Sequence, residues 1–136
     1  MRDRTFTLPE LASLVDVEYR TLHTWIGRGL LAASREQAQG SGTRNVFDGG
    51  DALEAYVLAD LRRAGVELSK LEQVAAELRQ SRDDRAGSGD VLLINGSVSL
   101  SHREDFAEAV GRTSPTLVYD LAHAHSGLAD RLEPRL

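Results

Sequence analysis

The chain has 136 residues, a length that suits one ordinary domain or a small domain with an appendage. With 41% hydrophobic and 27% charged residues it should fold, and the absence of cysteine excludes disulfides, thiolate metal sites and cysteine nucleophiles. The net charge of −5 argues against bulk, non-specific nucleic-acid binding, although the charges within residues 1–50 balance. Neither a membrane-spanning run nor a signal peptide is evident, so we expect a cytoplasmic protein.

The first predicted helix begins at a capping box. Thr7 is followed three residues later by Glu10, a spacing that satisfies two backbone donors at a helix start. The buried face of this helix should contain Leu8, Leu11 and Leu14. Residues 15–17 then form a tight turn into a second helix.

The second helix is predicted over about residues 18–27. Leu22 and Ile26, at i and i+4, should be its buried residues. Gly27 or Gly29 can end it in a left-handed conformation. Two short helices joined by a three-residue turn are a candidate helix-turn-helix.

A polar, glycine-containing segment follows the second helix. Within residues 32–50, the polar stretch is flanked by two apolar pairs, Leu30-Leu31 and Val46-Phe47. This pattern favours a β-hairpin wing with a tip at Gly40-Ser41-Gly42. A plain surface loop is the alternative.

Two further helices are predicted from caps and periodicity. Asp51, with Glu54 three residues later, predicts a helix start, and this helix should stop near Gly65. Ser69, with Glu72, predicts the next capping box. The amphipathic face of this last helix should contain Leu71, Val74, Ala75 and Leu78.

The composition changes after the fourth predicted helix. Residues 81–90 are charged and then rich in Gly and Ser, as is typical of a linker. We therefore predict a domain over residues 1–80 and a small module over residues 91–136.

Short strands are predicted in the C-terminal module. Asn95-Gly96 lies between apolar residues 91–94 and 98–100, which indicates a hairpin with a two-residue turn at positive φ. Ser101 should cap a short helix that carries Phe106, Ala109 and Val110 and closes at Gly111. Residues 116–122 predict a third strand.

An ordered set of motifs spans residues 5–80. The stretch TFTLPELASLVDVEYRTLHTWIGRGLL is followed by GSGTRNVF and by DALEAYVLADLRRAGVELSKLEQV. This set resembles the DNA-binding domain of the MerR-type regulators. The positions that carry the resemblance are Thr21-Leu22, Trp25, Gly29-Leu30-Leu31, Arg44, Phe47, Asp51, Leu53, Leu61-Arg62, Gly65 and Leu68-Ser69. The first half is also similar to excisionase-like proteins, which bend DNA for a recombinase.

The resemblance implies a mainly α protein with small β content. It implies a winged helix-turn-helix of about four helices, and the residue pattern beyond it predicts a short α/β module of β-hairpin, helix and strand. The implied function is a transcriptional regulator that binds double-stranded DNA as a homodimer, by recognition rather than catalysis. MerR-type regulators often dimerise through a long helix after the fourth one, whereas here the helical pattern fades near residue 80. The C-terminal module is a candidate for dimerisation, for a protein partner or for a small-molecule effector. In an alternative hypothesis this module does the essential work.

The resemblance also implies which residues contact DNA. The second helix would enter the major groove, where an arginine can bind guanine through two hydrogen bonds or hold a phosphate. The residues expected to face the groove are Tyr19, Arg20, His23 and Thr24, and those expected near phosphates are Arg28, Arg35 and Arg44. Relatives usually place Arg at the position of His23 and Tyr at that of Thr24. The aromatic residues Trp25, Phe47 and Tyr56 are expected to pack in the core.

Metal and cofactor chemistry is not predicted. His123 and His125 would share one face if they lay near a strand end, and His102 is in the same module. Three histidines without a clear fourth ligand do not predict a metal site. No catalytic motif and no cofactor motif stands out in the sequence.

Overall fold

The computed structural model describes residues 4–33, 35–39, 42–82, 89–110 and 115–133, with the backbone alone for residues 35–39 and 42–45. The helices of this part are α1 (Leu8–Val15), α2 (Tyr19–Gly27), α3 (Gly49–Arg63), α4 (Leu68–Gln80), α5 (Phe106–Val110) and α6 (Leu121–Leu132). The strands are β1 (Arg35–Gln39), β2 (Gly42–Val46), β3 (Asp90–Ile94), β4 (Val98–His102) and β5 (Leu117–Asp120). As predicted, the protein is mostly helical, with four helices before a small sheet.

Helix α1 begins at the predicted capping box. The Thr7 side chain accepts a hydrogen bond from the Glu10 amide, and the Glu10 side chain accepts one from the Thr7 amide. The prediction that Leu14 is buried was wrong: Leu14 is only half-buried, and Val15 points into the core instead. The helix ends at Asp16, which has a left-handed φ of 58° and thereby turns the chain toward α2.

Helix α2 buries a different pair of residues from the predicted one. Leu22 and Trp25 are in the core, whereas Ile26 is half-buried. Trp25 therefore packs in the core as expected, and it is Trp25 rather than Ile26 that joins Leu22 on the buried side of the helix. The helix ends before Gly29, whose φ is +83°, and the Leu30 amide donates to the Trp25 carbonyl at 2.9 Å. This 6→1 bond with a left-handed glycine is a Schellman motif, which returns Leu30 to the core.

The predicted wing is an antiparallel hairpin of β1 and β2. Two of the three predicted tip residues, 40 and 41, lie outside the described residues. An isolated bridge fixes the base of the hairpin: the Phe6 amide donates to the Phe47 carbonyl at 2.7 Å, and the Phe47 amide donates back at 2.9 Å. Both phenylalanines are buried, so the wing is anchored to the segment that precedes α1.

The predicted starts of α3 and α4 were both wrong. The cap of α3 is Asp48, three residues before the predicted one, and Asp51 is the second member of its capping box. The residue before α4 is Glu67, which makes no side-chain capping bond, so Ser69 lies within the helix. Ser, Asp and Glu recur around both helix starts, so several positions match a capping box and the spacing alone does not select among them. The buried face of α4 is as predicted: Leu71, Val74, Ala75 and Leu78.

The C-terminal sheet has the strand order β4-β3-β5, with both pairings antiparallel. Its hairpin loop has three residues rather than two, because Ile94 pairs with Val98. Asn95 and Gly96 do not have positive φ, so the predicted turn type was wrong. Instead, the Ser97 amide donates to the Asn95 side chain at 3.0 Å. Ser101 lies in β4 and caps no helix, and the predicted end of α5 at Gly111 lies outside the described residues.

The largest correction concerns the C-terminal end. The predicted strand over residues 116–122 stops at Asp120, whose side chain caps α6, a helix that the sequence did not indicate. Leu121, Ala124 and Leu128 are the buried residues of α6, which packs against α3 and α1. One hydrophobic core therefore extends from α1 through α3 and α4 to β3 and α6. Within the described segments, no helix is long and apolar enough to cross a membrane.

Candidate nucleic-acid interface

Helix α2 has one buried and one exposed side. Leu22 and Trp25 attach it to the core, while Tyr19, a residue that is 51% exposed, is on the outside. The structure leaves the other residues predicted for the groove exposed as well: Arg20, His23 and Thr24. The helix therefore presents a polar, aromatic surface to solvent, as a helix that enters a DNA groove requires.

The exposed side chains of α2 have few internal partners. The Thr24 hydroxyl donates to the Arg20 carbonyl at 3.1 Å, which is a bond within the helix. The rings of Tyr19 and His23 lie 6.2 Å apart in a tilted arrangement. In the part of the chain that the structure describes, the Arg20 guanidinium has no ion-pair partner. It can therefore bind an external anion or base without breaking an internal pair.

Arg28 lies just after α2 and has a partner of its own. Its guanidinium is 3.4 Å from the Glu72 carboxylate of α4, and both side chains are about half exposed. Exposed ion pairs contribute little to stability, so this one can be exchanged for a phosphate contact at small cost. The contact also shows that α4 lies beside the C-terminal end of α2.

The turn between α1 and α2 is held by arginines from distant parts of the chain. Arg63, at the end of α3, donates to the carbonyls of Val15 at 2.8 Å and Asp16 at 3.1 Å. Arg131 of α6 donates to the Leu14 carbonyl at 2.7 Å. These bonds satisfy carbonyls that the last turn of α1 leaves without helical partners. Sequence analysis missed both arginines, because nothing local links them to this turn.

The wing arginines can be placed only through the backbone. In the ladder of β1 and β2, Arg35 pairs with Val46 and Gln37 pairs with Arg44. The structure does not describe the side chains of Arg35 and Arg44, so their phosphate contacts stay predictions.

A charged cluster joins the end of the wing to α4. Arg82 approaches three carboxylates at the start of α3: Asp48 at 3.6 Å, Asp51 at 2.9 Å and Glu54 at 2.6 Å. Burial raises the pKa of Glu54 above its ordinary value, and the attraction of Arg82 does not outweigh it. Asp48 lies two residues after the end of β2, so this cluster is next to the base of the wing. In the sequence, the acidic residues Asp48, Asp51 and Glu54 are spaced at i, i+3 and i+6, which indicates that a cation should lie beside them.

The histidines of the C-terminal module do not form the arrangement considered from sequence. His123 and His125 lie on α6 rather than at a strand end, so a spacing of two turns them to different sides. The His123 ring is 3.1 Å from Asp60 of α3, whereas His102 is 2.9 Å from Asp90. These are separate contacts within the fold.

The geometry defines a class of protein: two short helices, an exposed polar second helix, a β-hairpin wing and two supporting helices form a winged helix-turn-helix. A family model described as MerR HTH family regulatory protein matches residues 6–78, more than half of the chain. The chain therefore belongs to the MerR helix-turn-helix family, and is a DNA-binding regulator at family level. A search of curated proteins found no significant match.

Proposed function

We propose that this protein binds double-stranded DNA sequence-specifically, as a homodimer on two half-sites, and regulates transcription. The observation that carries the proposal is the exposed side of α2, where Tyr19, Arg20 and His23 face solvent on a helix whose Leu22 and Trp25 are buried in the core. A helix about 10 Å wide fits the major groove, and a rigid one can discriminate between bases.

The residues divide into two roles. Arg20, near the start of α2 and without an internal partner among the described residues, is suited to read a base edge. Arg28, with its exchangeable partner, and the wing residues Arg35 and Arg44 are suited to hold phosphates. The overall negative charge does not oppose this, because local rather than total charge determines DNA contact.

The test is DNA binding measured by fluorescence anisotropy on genomic fragments over a range of salt concentrations. Arg44→Ala should weaken binding to all sequences similarly and lower the salt slope by about one. Arg20→Ala should weaken binding and also reduce the preference for the best site, by roughly 1–3 kcal/mol. Arg79→Ala, which removes the same charge from an exposed position in the last turn of α4, is the matched control and should change neither. Wild-type protein without salt-dependent DNA binding would contradict the proposal.

Mapping of bound sites across the genome tests the regulatory part. We expect the sites to lie at promoters and to contain two half-sites related by two-fold symmetry. Sites confined to recombination sequences would instead support an architectural, excisionase-like role.

A further inference from the structure

Exposed apolar side chains mark one edge of the C-terminal sheet. In the described part of the chain, the large hydrophobic residues with substantial exposure are Tyr19, Leu117 and Val118. Tyr19 belongs to the proposed DNA-binding side of α2. Leu117 and Val118, 38% and 40% exposed, are adjacent on β5 and have no part in that surface.

Strand β5 is an edge strand. It pairs with β3 on one side, and no described strand pairs with its other side. An edge strand leaves a row of backbone donors and acceptors free to pair with another strand. The opposite edge, β4, is more polar, since Ser99 and His102 are its exposed residues. The apolar edge is therefore the better candidate for strand addition.

We propose that β5 pairs with β5 of a second copy of this chain, joining the two C-terminal sheets into one six-stranded sheet. The inference rests on the proposed function, because a dimer is what places two copies of α2 on two half-sites. It assigns the dimer contact to the C-terminal module.

The alternation of faces fixes the register of this pairing. Val118 shares a face with Leu93, whereas Tyr119 points to the opposite face, where its hydroxyl donates to Asp60 of α3 at 2.7 Å. Antiparallel pairing about a two-fold axis at Val118 places it opposite the partner's Val118, and Leu117 opposite the partner's Tyr119. Each face of one sheet then continues into the same face of the partner's sheet. A slip of one residue would instead place side chains of the face toward α3 beside side chains of the opposite face.

The charges of the strand permit such pairing. Residues 116–119 carry no charge, so no like charges meet near the two-fold axis. The nearest charge, Asp120, is already paired with Arg103, whose Nε donates to it at 3.1 Å. Pro115 lacks a backbone donor, which limits how far the pairing can extend toward the start of the strand.

The size of the contact predicts its strength. Stable dimers bury about 1,200–2,000 Å² in total. A four-residue strand, about 13 Å long, cannot reach this area alone. The dimer should therefore be weak in solution, with dissociation in the micromolar range or above, and be reinforced when two half-sites bring the copies together.

Disulfide trapping tests the contact directly, because the chain contains no cysteine. In the proposed register the two copies of residue 118 face each other about 5 Å apart, within reach of a disulfide. Val118→Cys should therefore form a covalent dimer under mild oxidation much faster than Ser99→Cys. Ser99 is exposed on the same face of the sheet, but on the opposite edge strand. Equal rates for the two variants would overturn the proposal.

Sedimentation over a concentration series provides the second measurement. Wild type and Ser99→Lys should dimerise reversibly, whereas Val118→Lys, with like charges opposed at the axis, should stay monomeric. A monomeric wild type at all concentrations, or a Val118→Lys variant that dimerises normally, would overturn it. Binding of Val118→Lys to a single half-site separates the two proposals: if it persists, DNA recognition stands whatever the outcome for β5.

Discussion

Glu54 is a buried carboxylate whose hydrogen bonds only partly replace the water that it loses on folding. One of its oxygens accepts from Arg82 at 2.6 Å, while its Oε1 is buried and has no hydrogen-bond partner within the described residues. Burial raises its pKa despite the ion pair, because desolvation of the charged form exceeds the attraction. A raised pKa in the folded state means that the protonated form is favoured by folding.

As a consequence, the titration of Glu54 should make the unfolding free energy depend on pH. The stabilisation linked to this carboxyl is fully present below its unfolded pKa, near 4.5, and is lost as the pH rises through the raised folded value. We therefore expect the unfolding free energy of wild type, relative to Glu54→Gln, to fall as the pH rises from the unfolded pKa through the raised folded pKa. Urea denaturation at several pH values measures this difference.

The control is Glu72→Gln, which changes an exposed carboxyl on the neighbouring helix. Its stability curve should run parallel to that of wild type over the same range. Parallel curves for Glu54→Gln as well would show that burial does not shift the titration of this group.

At the scale of single elements, the two helices of the helix-turn-helix are capped unequally. Helix α1 has a complete capping box at Thr7, whereas the residue before α2, Glu18, makes no side-chain capping bond. Helix α2 has only nine residues, which is too short to be stable alone, so it depends on its ends and on Leu22 and Trp25.

This inequality predicts opposite effects of two substitutions. Glu18→Asp keeps the charge but supplies a shorter side chain that can accept from the α2 amides, so it should raise the unfolding free energy by about 0.5–1 kcal/mol. Thr7→Ala removes an existing cap and should lower it by about 1 kcal/mol. Chemical denaturation measures both. A Glu18→Asp variant no more stable than wild type would show that packing fixes the start of α2 without a cap.

At the scale of the whole molecule, α6 joins the C-terminal module to the helix-turn-helix. Gly127 lies against Tyr56 of α3, and Arg131 lies over the Tyr56 ring, 5.2 Å from its centre, while it also holds the Leu14 carbonyl. The last helix of the chain thus supports the first. Stability of the helix-turn-helix should therefore depend on α6, whose Arg131 is 117 positions from Leu14.

Gly127→Ala tests this dependence. The added Cβ would overlap the Tyr56 hydroxyl and lie 2.7 Å from Cζ, so the substitution should destabilise the protein by about 1–3 kcal/mol. Alanine favours a helix over glycine by about 1 kcal/mol, so a loss must come from the contact with α3. Urea denaturation followed by circular dichroism measures the change.

Gly27→Ala is the control, since among the described residues no atom outside its own helix and chain neighbours lies within 4 Å of a Cβ added there. It should leave stability unchanged or raise it slightly. A Gly127→Ala variant as stable as this control would mean that α6 can shift without cost to α3.

The sequence by itself determined features that depend on a few neighbouring residues. The capping box at Thr7 and the apolar face of α4 were confirmed, because each is set within one or two turns of helix. Of the two glycines predicted as the possible end of α2, Gly29 rather than Gly27 has the left-handed φ. The ordered motifs over residues 6–78 likewise identified the MerR family. The exposure of Arg20 and His23 followed from the same helical periodicity.

Where the local sequence is compatible with more than one helix start or secondary structure, only the tertiary structure showed which one forms. Asp48 rather than Asp51 begins α3, and Asp51 lies inside the helix, where its buried carboxylate pairs with Arg82 from beyond α4. Residues 121–132 form a helix although they contain Gly127 and two histidines, because Leu121, Ala124 and Leu128 pack against the core. Local propensity is worth tenths of a kcal/mol per residue, roughly, whereas burial of one leucine is worth about 1.5–3 kcal/mol. Packing between distant segments therefore outweighs the local preference.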